Sequence, residues 1–226
     1  MVFFYKIVDL VAPIIIIISL ILGIKHRNRY KNKILSPILI YIIISLINGI
    51  ILTAVSYFTR NDIAPLAISS TINIFNFVEY SIFSYFLYTI ITKNIYQRLI
   101  IIFYALYNLL SIIIWISTKN GFFTYQPQLY AIESLFLTIS CLFYIFEILN
   151  SEMEIDFKTD PVFIVVCGIL FYCSTMIPIF FFSHIIKVIL PEFYTFFDGI
   201  VELFYILLFL TFIKAYLCQF QEQKLS

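Results

Sequence analysis

The sequence predicts an all-α, polytopic membrane protein, a single domain over residues 1–226 folded as a seven-transmembrane-helix bundle. Three observations carry this. Seven long apolar stretches follow one another with only short connections between them. The chain is 62% hydrophobic and 12% charged, with a mean hydropathy of +1.02, whereas a soluble domain has about 25% charged and about 45–50% apolar residues. The apolar runs are also too long and too uniform for the alternation of a barrel strand. In lipid every backbone N–H and C=O must pair within the protein, which leaves helices.

A helix needs about 20 apolar residues to cross the hydrocarbon layer. The first candidate covers residues 3–24. Its start lacks the basic region and small-residue cleavage site of a signal peptide, so it reads as a retained helix. Lys25, Arg27, Arg29, Lys31 and Lys33 crowd the connection that follows. The second candidate is 34–58, and Arg60-Asn61-Asp62 with Pro65 leads into the third, 66–91. The fourth, 99–117, ends at Lys119-Asn120-Gly121, a turn signal. The fifth is 128–149. Thr159-Asp160-Pro161 then offers a cap followed by proline at the first helical position, opening the sixth, 161–182. Pro178 inside it reads as a hinge or a packed kink. The seventh, 193–217, follows Pro191.

Lysine and arginine set the orientation. With the first connection in the cytoplasm, that side holds Lys25, Arg27, Arg29, Lys31, Lys33, Lys93, Arg98, Lys158, Lys214 and Lys224, and the other holds Lys6, Arg60, Lys119 and Lys187. A bias of ten to four predicts the N-terminus outside and the C-terminus cytoplasmic. Glu152, Glu154, Asp156 and Asp160 beside Lys158 run against the trend, but acidic residues count for little in this rule. Abundant Phe and Tyr with a single Trp suit a lipid-facing surface with tyrosines near the interfaces. No extramembrane domain is expected at either end, so an output in the cytosol would need another polypeptide.

Composition excludes much chemistry. The net charge of +1 gives no reason to expect nucleic acid. Cys141, Cys167, Cys173 and Cys218 sit in or beside apolar segments without a CxxC pair, so they read as packing residues. His26 and His184 fall in predicted connections, which argues against a histidine-built zinc site. Neither a nucleophile elbow nor a glycine-rich phosphate loop is present. Lys214 lies too near the inner end of its helix to resemble a retinal-binding lysine. No span holds an internal arginine, hence no voltage-sensing series. No cofactor, metal or catalytic residue is predicted.

What remains are carboxyls and amides inside spans, which usually face a bundle interior or a wet cavity. The third span carries Asn73, Asn76 and Glu79, the fifth Glu133, and the seventh Asp198 and Glu202. At 1.5 Å per residue, Glu133 lies roughly 8 Å, Glu202 roughly 13 Å and Glu79 roughly 20 Å below the outer helix ends. Asp198 and Glu202 share one helical face. Two carboxylates so close in low dielectric need a shared proton or a cation between them. Asp9, near the outer end of the first span, is a further acid on that side. These positions define a candidate polar pocket, an outward acidic cavity lined by helices 3, 5 and 7. The plainer alternative has some acids reaching the headgroups and the rest hydrogen-bonded to neighbouring helices. Interhelical hydrogen bonding alone accounts for the asparagine stripe. Snorkelling to the interface accounts for Glu147 and Lys214 at inner helix ends, with a salt bridge as the alternative.

Phe77-Val78-Glu79-Tyr80, Ile132-Glu133-Ser134-Leu135, and Asp160-Pro161-Val162-Phe163 leading to Gly168 and Tyr172 together resemble a group of uncharacterised seven-helix membrane proteins of low-GC bacteria. The likeness covers helices 3 to 7. The group tends to carry Asn where this chain has Glu202, and the expected Trp early in helix 6 is missing. The resemblance implies a bacterial cytoplasmic-membrane protein, similar in general shape to the sensory modules that bacteria couple to signalling domains. Three functions stay open. The first is a receptor-like module that binds a small ligand or another membrane or signalling protein. The second is a small proton- or cation-coupled transporter, and the third a carboxylate-based intramembrane enzyme.

Overall fold

A computed structural model describes residues 2–29, 34–58, 64–118, 121–151, 156–189 and 191–225. The side chains at 2–10, 28, 29, 64, 184, 186, 191–196, 198 and 220–225 lie outside the described set. Among the described residues the fold is all-helical, with no strand. The α-helices are α1 (Val2–Arg29), α2 (Ser36–Phe58), α3 (Ala64–Ile90), α4 (Asn94–Ser117), α5 (Pro127–Leu149), α6 (Pro161–Ile189) and α7 (Pro191–Leu225), with a 3₁₀ turn at Gly121–Phe123. Several outrun the predicted spans. α1 carries Lys25 and His26 in its last turns, and His26 is buried against the Tyr216 ring rather than lying in a loop.

Five helical stretches are long and apolar enough to cross a membrane: Ser36–Phe58, Asn94–Ser117, Pro127–Leu149, Pro161–Ser183 and Gly199–Gln219. These mark a multi-pass membrane protein. α3 is less apolar because Asn73, Asn76, Glu79 and several serines and tyrosines interrupt it. α1 keeps an apolar run over 11–24, while its first side chains are outside the described set.

The helices close into a ring. α1 packs on α2 and α7, α2 on α3, α3 on α5, α5 on α6 and α6 on α7. α4 lies outside the ring against α3 and α5. Large apolar side chains face outward along the helices, with Ile116 80% and Phe58 90% exposed. Surface of that kind belongs against lipid rather than water. Inside, Tyr41, Phe83, Phe86, Phe209 and Phe212 are fully buried and form the aromatic centre.

Local chemistry explains the joins. Asp160 caps α6 by accepting from the Phe163 amide, with Pro161 at the first helical position, as the sequence predicts. Pro178 leaves α6 continuous. Stacked pairs hold α4 to α5: Tyr96 on Phe143 and Phe103 on Phe136, both at 4.8 Å. They lie seven residues apart on each antiparallel helix, two turns, so both pairs share a face. Each contributes about 0.5–1.5 kcal/mol beyond buried area. α6 and α7 approach closely at Gly168, where an added Cβ would lie 2.1 Å from Thr211 Oγ1.

Glu147 has specific partners at the end of α5: its carboxylate accepts from the Thr92 amide at 2.9 Å, the Thr92 hydroxyl and the Lys93 amide at 3.3 Å. It therefore fastens the α3–α4 turn to α5 and sits at the positive end of α4.

Candidate functional site

Asn73 sets the geometry. Its amide donates to the carbonyls of Phe122 at 2.8 Å and Thr124 at 2.9 Å. Gln126, itself buried, donates to Thr124 Oγ1 at 2.7 Å and Gly121 O at 3.3 Å. The Tyr130 hydroxyl donates to the Ile72 carbonyl at 3.3 Å. These bonds draw the α4–α5 connection down along α3, so α5 begins level with Asn73. Nine residues of α3, about 14 Å, rise above that level. Glu79 lies six residues past Asn73, and Glu133 six past Pro127. The two acids therefore sit at one height.

Both are almost fully buried, at 3% exposure each. The Tyr41 hydroxyl of α2 donates to Glu79 Oε1 at 3.2 Å. The Tyr41 ring is fixed by Phe83 at 4.5 Å and by Phe209 and Phe212 across the centre. Asn76 Nδ2 donates to the Tyr107 hydroxyl of α4 at 3.1 Å, and that hydroxyl faces the Glu133 carboxyl. Glu79 and Glu133 are within electrostatic reach of each other. Glu133 Oε2 and Asn76 Oδ1 are buried with no hydrogen-bond partner. An interior carboxylate normally has its lone pairs occupied, because leaving such a group unpaired is costly.

A cavity of about 700 Å³ lies beside this cluster, in the half of the bundle that holds the start of α7. Its walls are Ala12, Pro13 and Ile16 of α1, much of the second half of α2, Phe75 of α3, and Glu202 and Tyr205 of α7. Ser45, Gly49 and Thr53 recur every four residues on one face of α2, and their small side chains leave the space open. The deep end is polar: Tyr205 lies beside the hydroxyls of Ser45 and Tyr41. Ser45 is one turn from Tyr41, and its own hydroxyl bonds the Tyr41 carbonyl at 2.8 Å. The Tyr41 phenol thus separates the cavity from Glu79.

The predicted pocket divides accordingly. Asn76, Glu79 and Glu133 come together, although equal spacing from the helix starts had placed the two acids roughly 12 Å apart in depth. Asn73 is spent on the α4–α5 connection. Glu202 lines the cavity, on the far side of Tyr41 and Tyr205. The Asp198 side chain, like that of Asp9, lies outside the described residues. Of helices 3, 5 and 7, only α7 lines the cavity with more than one residue, Glu202 and Tyr205, and α1 and α2 form most of the walls. α5 contributes nothing to it and α3 a single phenylalanine, because the α3–α5 seam is filled by Tyr130, Tyr80 and Tyr107. Tyr41, Tyr107 and Tyr205 are functional candidates that the sequence reading missed. The four-residue spacing of Ser45, Gly49 and Thr53 in an isoleucine-rich helix was the available signal. Among the described residues no group of three or more His, Cys, Asp and Glu could hold a metal ion.

No protein-family model matches the chain, and neither a curated protein nor a solved structure gives a significant match.

Proposed function

We propose that the chain is a seven-span protein of a bacterial cytoplasmic membrane. In this reading it is a receptor-like module whose cavity takes a small ligand and whose output passes to another membrane or signalling protein. α1 and α3 complete the seven spans: each is packed in the ring between membrane-length helices. The excess of Lys and Arg on one side supports the N-terminus outside. In that orientation the cavity opens outward.

The cavity carries the proposal. Its volume of about 700 Å³ falls among sites for small molecules, about 300–1,000 Å³. Its walls are mostly apolar and aromatic, and Ser45, Asn48, Thr53, Tyr205 and the Glu202 carboxyl converge on it. That combination suits a small amphiphile with an apolar body and a donor or cationic group.

Gly49 supplies the test, because a Cβ there meets nothing within 4 Å. Gly49→Phe places a benzyl group in the cavity from a Cβ position that is free of contacts. An environment-sensitive fluorescent alkylamine is the probe, with the purified protein in detergent. Saturable binding in the wild type and its loss in a Gly49→Phe variant that melts normally support the reading. Absence of saturable binding, or undiminished binding in the variant, overturns it.

The buried pair Glu79 and Glu133 favours a second reading, a proton- or cation-coupled carrier. Proteoliposome flux above empty vesicles, lost in Glu79→Gln, is what that reading requires. An intramembrane enzyme has less support, since the Tyr41 phenol stands between Glu79 and the cavity described above.

A further inference from the structure

We infer that Asn76, Glu79 and Glu133, together with the hydroxyls of Tyr41 and Tyr107, form an interior site for one positive charge, carried by a proton or a sodium ion. The inference concerns a different place from the ligand cavity and holds whether or not that cavity takes a ligand.

Acceptors outnumber donors at this spot. The Tyr41 O–H is committed to Glu79, and one Asn76 N–H to Tyr107. Glu133 Oε2 and Asn76 Oδ1, each in a side chain at least 97% buried, have no donor. Both belong to side chains that reach the same Tyr107 hydroxyl. A single positive charge between them serves both orphan oxygens. A proton on Glu133 Oε2 turns it into the donor that Asn76 Oδ1 lacks, while a sodium ion takes both as ligands.

Among the described residues the surroundings contain no other source of that charge. The titratable groups facing the pair are Tyr41 from α2, Tyr80 from α3 and Tyr107 from α4. Tyr130 comes from α5, Tyr172 and Cys173 from α6, and Tyr205 from α7. None is basic, so no described side chain supplies the charge. The donors are all oxygen, which suits a proton or a hard cation. Access runs from the cavity past Tyr205 and Ser45 to the Tyr41 phenol, whose O–H already points at Glu79. Below, the fully buried side chains Phe83, Phe86, Leu87 and Phe212 are all apolar.

The test uses the full chain in detergent, at constant ionic strength with sodium exchanged for N-methylglucamine. Infrared spectra of the protonated-carboxyl C=O stretch are recorded in parallel. A sodium site gives a melting temperature higher by about 5 °C or more at saturating sodium, and no such rise in Glu133→Gln. A proton site gives no sodium response, but a protonated-carboxyl band that shifts in D2O and is lost in Glu133→Gln. Glu133→Gln introduces its own amide donor at the orphan position, so it should melt no lower than the sodium-free wild type. Asn76→Leu removes the other orphan acceptor and should weaken sodium affinity at least tenfold or shift the carboxyl band. The inference is overturned if the wild type shows neither response, or if the response persists unchanged in both variants.

Discussion

Tyr41→Phe probes the hydroxyl at the centre of the molecule. The substitution keeps the ring, and with it the contacts to Phe83, Phe209 and Phe212 at 4.5, 5.9 and 6.1 Å. It removes the hydroxyl that donates to Glu79 Oε1 and lies beside Tyr205, and the cycle below separates the Glu79 contact. Interhelical hydrogen bonds in membrane proteins average about 0.6 kcal/mol and reach about 1.7, whereas a bond to a charged group is worth about 1.5–3 kcal/mol. The measured loss therefore distinguishes a neutral Glu79 partner from an ionised one. At roughly 2–4 °C per kcal/mol for a chain of this size, the melting temperature should fall by about 1–12 °C. The assay is reversible unfolding in mixed micelles, run as a double-mutant cycle with Glu79→Met. In the Met background the Tyr41 hydroxyl has lost its acceptor, so Tyr41→Phe should become neutral or stabilising. The cycle should then return a coupling of about 0.6–3 kcal/mol. Strict additivity, with Tyr41→Phe costing the same in both backgrounds, would refute the role given to this bond.

Three further predictions follow from the packing. Glu147→Ala should cost about 1–3 kcal/mol and speed amide exchange at Thr92 and Lys93, the two residues whose N–H groups it accepts; unchanged exchange there would remove its role as a fastener. Gly168→Ala should destabilise by about 1–3 kcal/mol, because the new Cβ meets Thr211 Oγ1 at 2.1 Å and Cβ at 2.8 Å. Adding Thr211→Ala should restore part of the loss, and no recovery at all would point away from that contact. In the α5–α6 connection, the Lys158 amide and then the Thr159 hydroxyl hold the exposed Asp156 carboxyl below the usual range. A depressed folded value means the turn gains stability above the unfolded value, about 3.9, and loses it as pH falls through the folded one. The Lys158 amide proton resonance should thus stay constant from neutral pH to about pH 4 and move only below it, a dependence absent in Asp156→Ala.

Much of this molecule was legible in its residues. The apolar runs, the Asp160-Pro161 start of α6 and the break at Gly121 follow from local rules, since helix length, caps and proline act within a few residues. The chemistry-bearing side chains Asn76, Glu79 and Glu133 were also visible, because an acid or amide in an apolar run stands out. Glu147 was seen, but what it binds was not. Its partners are backbone amides of a turn 55 residues away, and backbone donors leave no trace in a sequence.

What the tertiary structure alone decided was height and adjacency. Counting down from each helix end put Glu79 and Glu133 at different depths, since the count treats all helix ends as level. They are not level: two hydrogen bonds from Asn73 pull the start of α5 about 14 Å down along α3. The position of the cavity was likewise fixed by which faces meet. Small side chains open a space only where the opposing helix does not fill it, and Ser45, Gly49 and Thr53 face α1 and α7 rather than the tyrosine-packed seam of α3 and α5. A chain sequence records the residues on each helix, but the rotation and offset of one helix against another arise from side chains far apart in that sequence.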